Sequence, residues 1–510
     1  AFHTLGCKVN QYDTQAMEEL LINAGYISVP FQSDADIYVI NTCTVTEHSD
    51  KKSRNIIRKL HRKSPGAIIA VIGCYAQLKG EEIAKIEGVD VILGAQKKGL
   101  LLQEVQKIES ERNFGNAKMI LDVEDIEKVS SVYSAFSSGE RTRSFLKVQD
   151  GCDYKCSYCT IPKARGKSRN LSIAELVEQA HQIALLGIKE IVLTGVNIGD
   201  FGRTTGESFL ELLKQLNDVE GIERYRISSI EPNLLTREIV EWIASGTKFL
   251  PHFHIPLQSG CDEILRRMRR RYNTAMFAEK IELVREYMGN PFFGIDVITG
   301  FPGETEELFM ETYNFLERVR PAFIHIFPYS RRKDTPAAEM PDQVDEQIKQ
   351  ERVHRLEALC DKLHKEYYES FKGATEEVLF ESTQKNGKMF GYMPYFGFQA
   401  GLFYAQEGYQ FEYNEDDDYT YTIEGAEKAV MQVVELPVLA HMHVDFWKMK
   451  LLVNIGCYAG YRMSIERFPG KTGSVSDDVA HSFLETDNRF DYGINSIPVT
   501  FSEMGTFVTD

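Results

Sequence analysis

Short apolar runs alternate with amphipathic stretches over residues 1–110. Phe2–Leu5, Ile37–Ile40, Ala67–Ile72 and Val89–Leu93 have the length and flanks of buried strands, and Asp13–Ala24, Asp50–Arg62 and Gly80–Ile86 carry helical spacing. That alternation predicts an α/β domain with a parallel sheet. The polar stretch 111–143 reads as a linker. Over 144–330 the alternation returns, with six strand-like runs at Phe145–Gln149, Glu190–Thr194, Tyr225–Ser229, His252–Pro256, Gly294–Thr299 and Phe323–Phe327. Helical patterns such as Ser172–Leu186 and Thr274–Met288 separate them. Six β/α units predict a partial (β/α)6 TIM-like barrel, whose chemistry sits on loops at the C-terminal ends of its strands. Residues 331–373 read as a helical extension built on one charged helix, Asp345–Lys372. Beyond it the pattern turns all-β: 374–393 opens a β domain with a strand at Glu376–Phe380, and 394–510 is an atypical all-β tail with strands in Val430–His443 and Lys450–Ile465.

Composition narrows the class. A chain of 510 residues with 43% apolar and 26% charged content holds two to four globular domains, which excludes a disordered, collagenous or disulfide-scaffold protein. No run approaches the roughly 20 apolar residues of a membrane helix. The opening Ala1-Phe-His-Thr-Leu-Gly-Cys7 has no basic-then-apolar leader and no Met, so a few upstream residues are expected to be missing. A cytoplasmic location and no membrane partner are expected. The net charge of −17 argues against a nucleic-acid partner until its distribution is read. The last 120 residues hold 18 acidic and 7 basic residues, and 21 aromatic ones. The first 390 hold 57 acidic and 51 basic, with basic stretches at Lys51–Lys63 and Arg266–Arg271.

Nine cysteines are too sparse for a disulfide framework, but six fall into two groups of three. Cys152, Cys156 and Cys159 form a Cx3CxxC run just after the first barrel strand. Thiolates this close on one loop converge on a polynuclear centre, and three of them leave one iron of a four-iron cluster open. Zinc or buried structural cysteines are the alternatives, although zinc wants a fourth ligand and no Cys or His follows closely. Cys7, Cys43 and Cys74 each follow a predicted strand. In a parallel sheet those ends share one edge, where open α/β sheets bind ligands. Cys261, Cys360 and Cys457 read as structural, and the run Glu415–Asp418 as a solvated hairpin loop.

The Cx3CxxC run at the top of a partial barrel resembles the radical S-adenosylmethionine (SAM) superfamily. That resemblance implies a 4Fe-4S cluster on Cys152, Cys156 and Cys159 whose open iron chelates SAM, which the reduced cluster cleaves to a 5′-deoxyadenosyl radical. It implies cofactor contacts from Tyr158 before the last cysteine, from Thr194, Gly195 and Asn197 after the second strand, from Ser228 and Glu231 after the third, and from Asp296 and Gly300 at the fifth. The glycines are expected to let the backbone approach SAM.

Thr4-Leu-Gly-Cys-Lys-Val-Asn-Gln-Tyr-Asp-Thr14, Asn41-Thr-Cys-Thr-Val-Thr46, Gly73-Cys-Tyr-Ala76 and His254-Ile-Pro-Leu-Gln-Ser-Gly260 resemble the methylthiotransferase family within that superfamily, over residues 1 to about 390. The resemblance implies a second 4Fe-4S cluster on Cys7, Cys43 and Cys74 that holds the sulfur to be delivered. One SAM methylates that sulfur, and a second supplies the radical that opens a C–H bond. The words around Cys7 look most like the branch acting at C2 of N6-threonylcarbamoyladenosine at position 37 of tRNA. The isopentenyladenosine branch and a ribosomal-protein aspartate are the alternatives, and a membrane β-barrel protein defined by the tail is a reading from another class. Implied partners are the tRNA anticodon stem-loop, an electron donor such as flavodoxin or ferredoxin, and a sulfur donor. Lys51, Lys52, Arg58, Lys59, Arg62, Arg269 and Arg270 are the candidate phosphate contacts. Lys163, Arg165, Lys167 and Arg169 are equally basic, with solvated faces as the alternative reading.

Thr375–Thr383 with Gly387–Tyr392 looks like the opening strands of the family's RNA-binding TRAM domain. From Gly397 on, segments such as Val434–Ala440 and Val453–Tyr461 resemble PorT-like outer-membrane β-barrels, with a diverged TRAM domain as the alternative. A barrel fragment without a leader suggests a fused or recombined reading frame.

Overall fold

The computed structural model describes residues 1–468 apart from 45, 115–117, 130, 131, 133–141, 373, 375, 376, 386, 387, 396, 399–402, 410–427, 447 and 448. The expected acidic hairpin Glu415–Asp418 and much of the expected linker lie outside the described residues. The chain divides into two compact units, Ala1–Tyr368 and Glu369–Asp510.

The first unit begins with five parallel strands in the order of the chain: β1 (Phe2–Thr4), β2 (Ile37–Thr42), β3 (Ile68–Gly73), β4 (Val91–Leu93) and β5 (Ile120–Asp122). Helices α1 (Lys8–Asn23), α2 (Glu47–Lys63), α3 (Cys74–Ile83) and α4 (Leu101–Asn113) join them. Successive strand residues point to opposite faces. Tyr38, Ile40, Ile69 and Val71 therefore meet Ile57 and Leu60 of α2, while Ile37, Val39, Ala70 and Ile72 meet Met17 and Leu21 of α1 and Val105 and Ile108 of α4. Burial on both faces is why β2 and β3 read as unbroken apolar runs. One boundary needs correction: α4 and β5 extend this domain beyond residue 110, into the stretch read as linker. β5 is a three-residue edge strand, too short to leave a periodic signal.

The partial (β/α)6 barrel follows, with β6 (Arg143–Lys147), β7 (Glu190–Thr194), β8 (Arg224–Ile227), β9 (His252–Gln258), β10 (Phe292–Thr299) and β11 (Phe323–Pro328). β6-β7-β8 and β9-β10-β11 are parallel sheets, joined by parallel bridges at Tyr225↔Phe249 and Ser229↔His254. Helices α5 (Ile161–Arg165), α6 (Ile173–Leu185), α7 (Phe209–Asn217), α8 (Arg237–Ala244), α9 (Asp262–Arg267), α10 (Thr274–Met288) and α11 (Glu306–Val319) connect them. One apolar cluster runs between strands and helices, and α12 (Glu346–Glu369) adds Leu356, Leu359, Cys360 and Leu363 to it. Tyr12 of α1 packs on Phe145 and Val192, so the two α/β layers share a seam beside the Cys7 loop. Among the described residues no helix is long and apolar enough to cross a membrane.

In the second unit, β12 (Leu379–Lys385), β13 (Lys388–Tyr392) and β14 (Gly397–Phe398) are antiparallel neighbours, as are β15 (Phe403–Tyr409), β16 (Lys428–Phe446) and β17 (Met449–Phe468). Cys457 sits in β17 opposite Val438.

Candidate cluster and cofactor site

Cys7 caps the start of α1, Cys43 follows β2 and Cys74 opens α3 directly after β3. Three adjacent parallel strands thus deliver three thiols to one sheet edge. Gly6 (φ +105°) makes the close approach possible, because a side chain there would lie 2.6 Å from Cys43 Cβ. Asn10 closes the arrangement: its amide donates to Leu5 O at 2.8 Å and Thr42 O at 3.0 Å, tying the Cys7 loop to the Cys43 loop. Asn41 donates back to Asn10 O at 2.8 Å. Cys43 and Cys74 are buried and Cys7 is exposed. Burial pushes the Cys74 thiol up, and Arg165 is the strongest charge pulling it back.

The second trio occupies the loop after β6. Tyr154 N–H donates to Cys152 Sγ and Ile161 N–H to Cys159 Sγ, each at 3.4 Å. Burial pushes both of these thiols up to about 12, so without a metal they keep their protons. A metal that displaces those protons is what such a pocket can hold. Arg270 Nη1 donates to Cys156 Sγ at 3.0 Å, and its other amine pairs with Glu231. A cation on a ligating sulfur suits a negatively charged thiolate centre. Among the described residues only His254, Asp296 and His325 bring three potential ligand atoms within 4.8 Å of one another.

The expected SAM contacts lie at the barrel mouth. Thr194 Oγ1, both ends of the Asn197 amide and Ser228 Oγ are buried with no hydrogen-bond partner. Orphaned polar atoms are costly, and a polar cofactor seated on these strand ends would satisfy them. Tyr158 packs edge-on against Phe301 at 6.3 Å. Asp296 accepts from, or shares a proton with, His254 Nε2 at 2.8 Å. Burial opposes ionisation of that carboxyl, yet His254 and then His325 hold it below its usual range. Sequence reasoning singled out Asp296 at the fifth strand but gave no role to His254 or His325, which meet it from the strands on either side, β9 and β11.

Two glycines gain a packing role and one expectation changes. A side chain at Gly195 would meet Gln149 O and Ile198 at 2.9 Å. One at Gly300 would meet Lys349 of α12 at 2.3 Å. Arg270, grouped with the phosphate contacts, has a side chain only 4% exposed and is spent on Cys156 and Glu231. Arg165 and Arg169 are also buried, in an ion network described below.

The remaining basic candidates are exposed. Lys51, Lys52, Arg58, Lys59 and Arg62 line the outer face of α2, and Arg269 follows α9. Lys51, Lys52 and Lys59 border a shallow depression with His48 and Asn55. By contrast Arg54 is bonded to Tyr75 and Glu82, and Lys63 to Asp34. The start of α2 and the loop before it touch the segment after β11: Arg332 donates to Thr44 Oγ1 at 2.5 Å and to Asp50 at 2.9 Å.

Comparison with known proteins yields three family matches. Residues 1–94 match the Uncharacterized protein family UPF0004, 146–316 the Radical SAM superfamily, and 382–496 an Outer membrane protein beta-barrel domain. The chain is 44% identical over 399 residues to the Threonylcarbamoyladenosine tRNA methylthiotransferase MtaB of Bacillus subtilis, covering 77% of this chain and 88% of that protein. It is 40% identical over 373 residues to the protein of the same description from Aquifex aeolicus, covering 73% and 90%. Identity falls to 33% over 394 residues, 75% and 86% of the two chains, with the tRNA-2-methylthio-N(6)-dimethylallyladenosine synthase of Clostridium botulinum.

Proposed function

The chain belongs to the radical SAM methylthiotransferase family, in its threonylcarbamoyladenosine branch, and from that premise we propose how its own residues serve the reaction. The enzyme transfers a methylthio group to C2 of N6-threonylcarbamoyladenosine at position 37 of tRNA. Two 4Fe-4S clusters and SAM supply, when bound, the sulfur, the methyl group and the one-electron chemistry that replaces an unactivated C–H bond.

Cys152, Cys156 and Cys159 hold the SAM-binding cluster, with Arg270 compensating charge at Cys156. Cys7, Cys43 and Cys74 hold the second cluster at the sheet edge. Thr194, Asn197 and Ser228 orient SAM through the donors and acceptors that the protein leaves unpaired. Glu231, anchored by Arg270, opens the short turn that follows β8. The reaction takes place in the cytoplasm, with an electron donor of the flavodoxin or ferredoxin class and a separate sulfur donor. The observation that carries this reading is 44% identity over 399 residues, in a chain whose topology brings each cysteine trio to strand C-termini.

Mass spectrometry of tRNA nucleosides tests it. Cells lacking the gene should accumulate N6-threonylcarbamoyladenosine and regain its 2-methylthio form when the gene returns. Methylthiolation of isopentenyladenosine instead would assign the chain to the other tRNA branch.

The anticodon stem-loop rests on the outer face of α2. Lys59→Glu with Arg62→Glu should weaken tRNA binding and flatten its salt dependence, lowering the slope of log K against log salt by about 0.9 per lost phosphate contact. A binding titration at several salt concentrations reads this, and superimposable wild-type and variant curves would remove α2 from the interface.

A further inference from the structure

Arg165 lies six residues past Cys159, yet its surroundings belong to the other trio. The side chain is 1% exposed. Nη1 donates to Asp150 Oδ1 at 2.9 Å, and Nη2 to Asn10 Oδ1 at 2.7 Å, with Asp13 Oδ2 at 3.6 Å. Asn10 is the residue that ties the Cys7 and Cys43 loops together, and Asp150 stands two residues before Cys152. Arg165 Nε is buried and has no partner.

Lys98, Lys147 and Arg169 are buried beside it, and the ion pairs among the described residues join these cations to the buried carboxylates Asp13 and Asp150. A buried N–H without an acceptor is costly, and a thiolate-ligated iron–sulfur cluster on Cys7, Cys43 and Cys74 would offer one to Arg165 Nε.

We propose that Arg165 is a positioning residue for the second cluster: its charge and its free Nε–H sit against that sulfur-rich group and set its reduction potential, while Asp150 and Asn10 fix the group relative to the SAM-binding loop. Net charge and hydrogen bonds to sulfur are the levers a protein has on such potentials. Removing a neighbouring cation makes reduction harder. This proposal rests on assigning the second cluster to Cys7, Cys43 and Cys74.

Potentiometric titration of the anaerobically reconstituted full chain, followed by electron paramagnetic resonance, tests it in wild type, Arg165→Gln and Arg165→Lys. With about eight irons per wild-type chain, R165Q should shift the second cluster to a more negative potential and leave the SAM cluster unmoved. R165K, which keeps the charge and loses the planar fork, should shift the same cluster by less. R165Q that is folded but retains only the SAM cluster also supports the role. Should R165Q not fold, a shift confined to the second cluster in R165K decides in favour. Unmoved potentials, or equal shifts at both clusters, overturn the proposal while leaving the two-cluster reading intact. About four irons in wild type overturns both.

Discussion

Cys159→Ala is expected to leave a folded chain with one cluster in place of two, its iron falling from about eight to about four atoms. SAM cleavage and tRNA methylthiolation should both vanish. The loop has no spare ligand, because Cys261 and Cys360 are the remaining described cysteines of the first unit and both are packed into apolar clusters. A third thiolate is also what the neighbours are arranged around: Ile161 N–H points at Cys159 Sγ, and Arg270 already serves Cys156. The Cys7, Cys43 and Cys74 site is built from different elements, so its cluster should persist in the variant. Iron and sulfide analysis with chromatography of the SAM products checks both halves. Eight irons with SAM still cleaved would show that Cys159 is no ligand.

How much of this was legible follows from which features leave a local pattern. The six barrel strands were visible because each is a short stretch rich in β-branched and aromatic residues set between helical patterns, and Glu190–Thr194 matches its predicted bounds. β5 was not, because three half-exposed residues at an edge owe their pairing to β4 rather than to their own periodicity. Both cysteine trios were legible from spacing and from the strands before them. Arg270 and Arg165 were not, since a basic residue in a basic run gives no sign of turning inward to meet Glu231 or Asp150. The glycines hid a second role in a similar way: Gly195 and Gly300 make room for Ile198 and Lys349, partners that no local pattern announces. Two signals were available and unused: Asn10, three residues after Cys7, and Gly-Cys pairs at Gly6, Gly73 and Gly151, all with positive φ.

Asp13→Asn should destabilise the first unit by about 3–5 kcal/mol, the usual cost of removing one partner from a buried ion network. Asp13 is 1% exposed on α1, where it meets Lys98, Lys147 at 2.8 Å and Arg165 at 3.6 Å. Lys147 and Arg165 come from the barrel, so one carboxylate joins the two cluster-bearing layers. Burial alone would raise its pKa, but Lys147, then Lys98 and Arg165, pull it down to about 2. A carboxylate depressed in the folded state adds stability above its unfolded pKa of about 4, and loses it as pH falls through the folded value. From 3.8 to about 2 that linkage is worth roughly 2–3 kcal/mol. Asp150 is held lower still, by Arg165, Lys147 and Arg169 against the effect of burial, so it steepens the same limb further down the pH scale. Wild type should therefore lose stability between about pH 4 and pH 2, and Asp13→Asn should start lower and fall less steeply across that window. Anaerobic urea unfolding of the holoenzyme at a series of pH values measures both. A variant as stable as wild type at pH 7, with the same acid limb, would mean that the seam between the layers is held by Tyr12, Phe145 and Val192 rather than by charge.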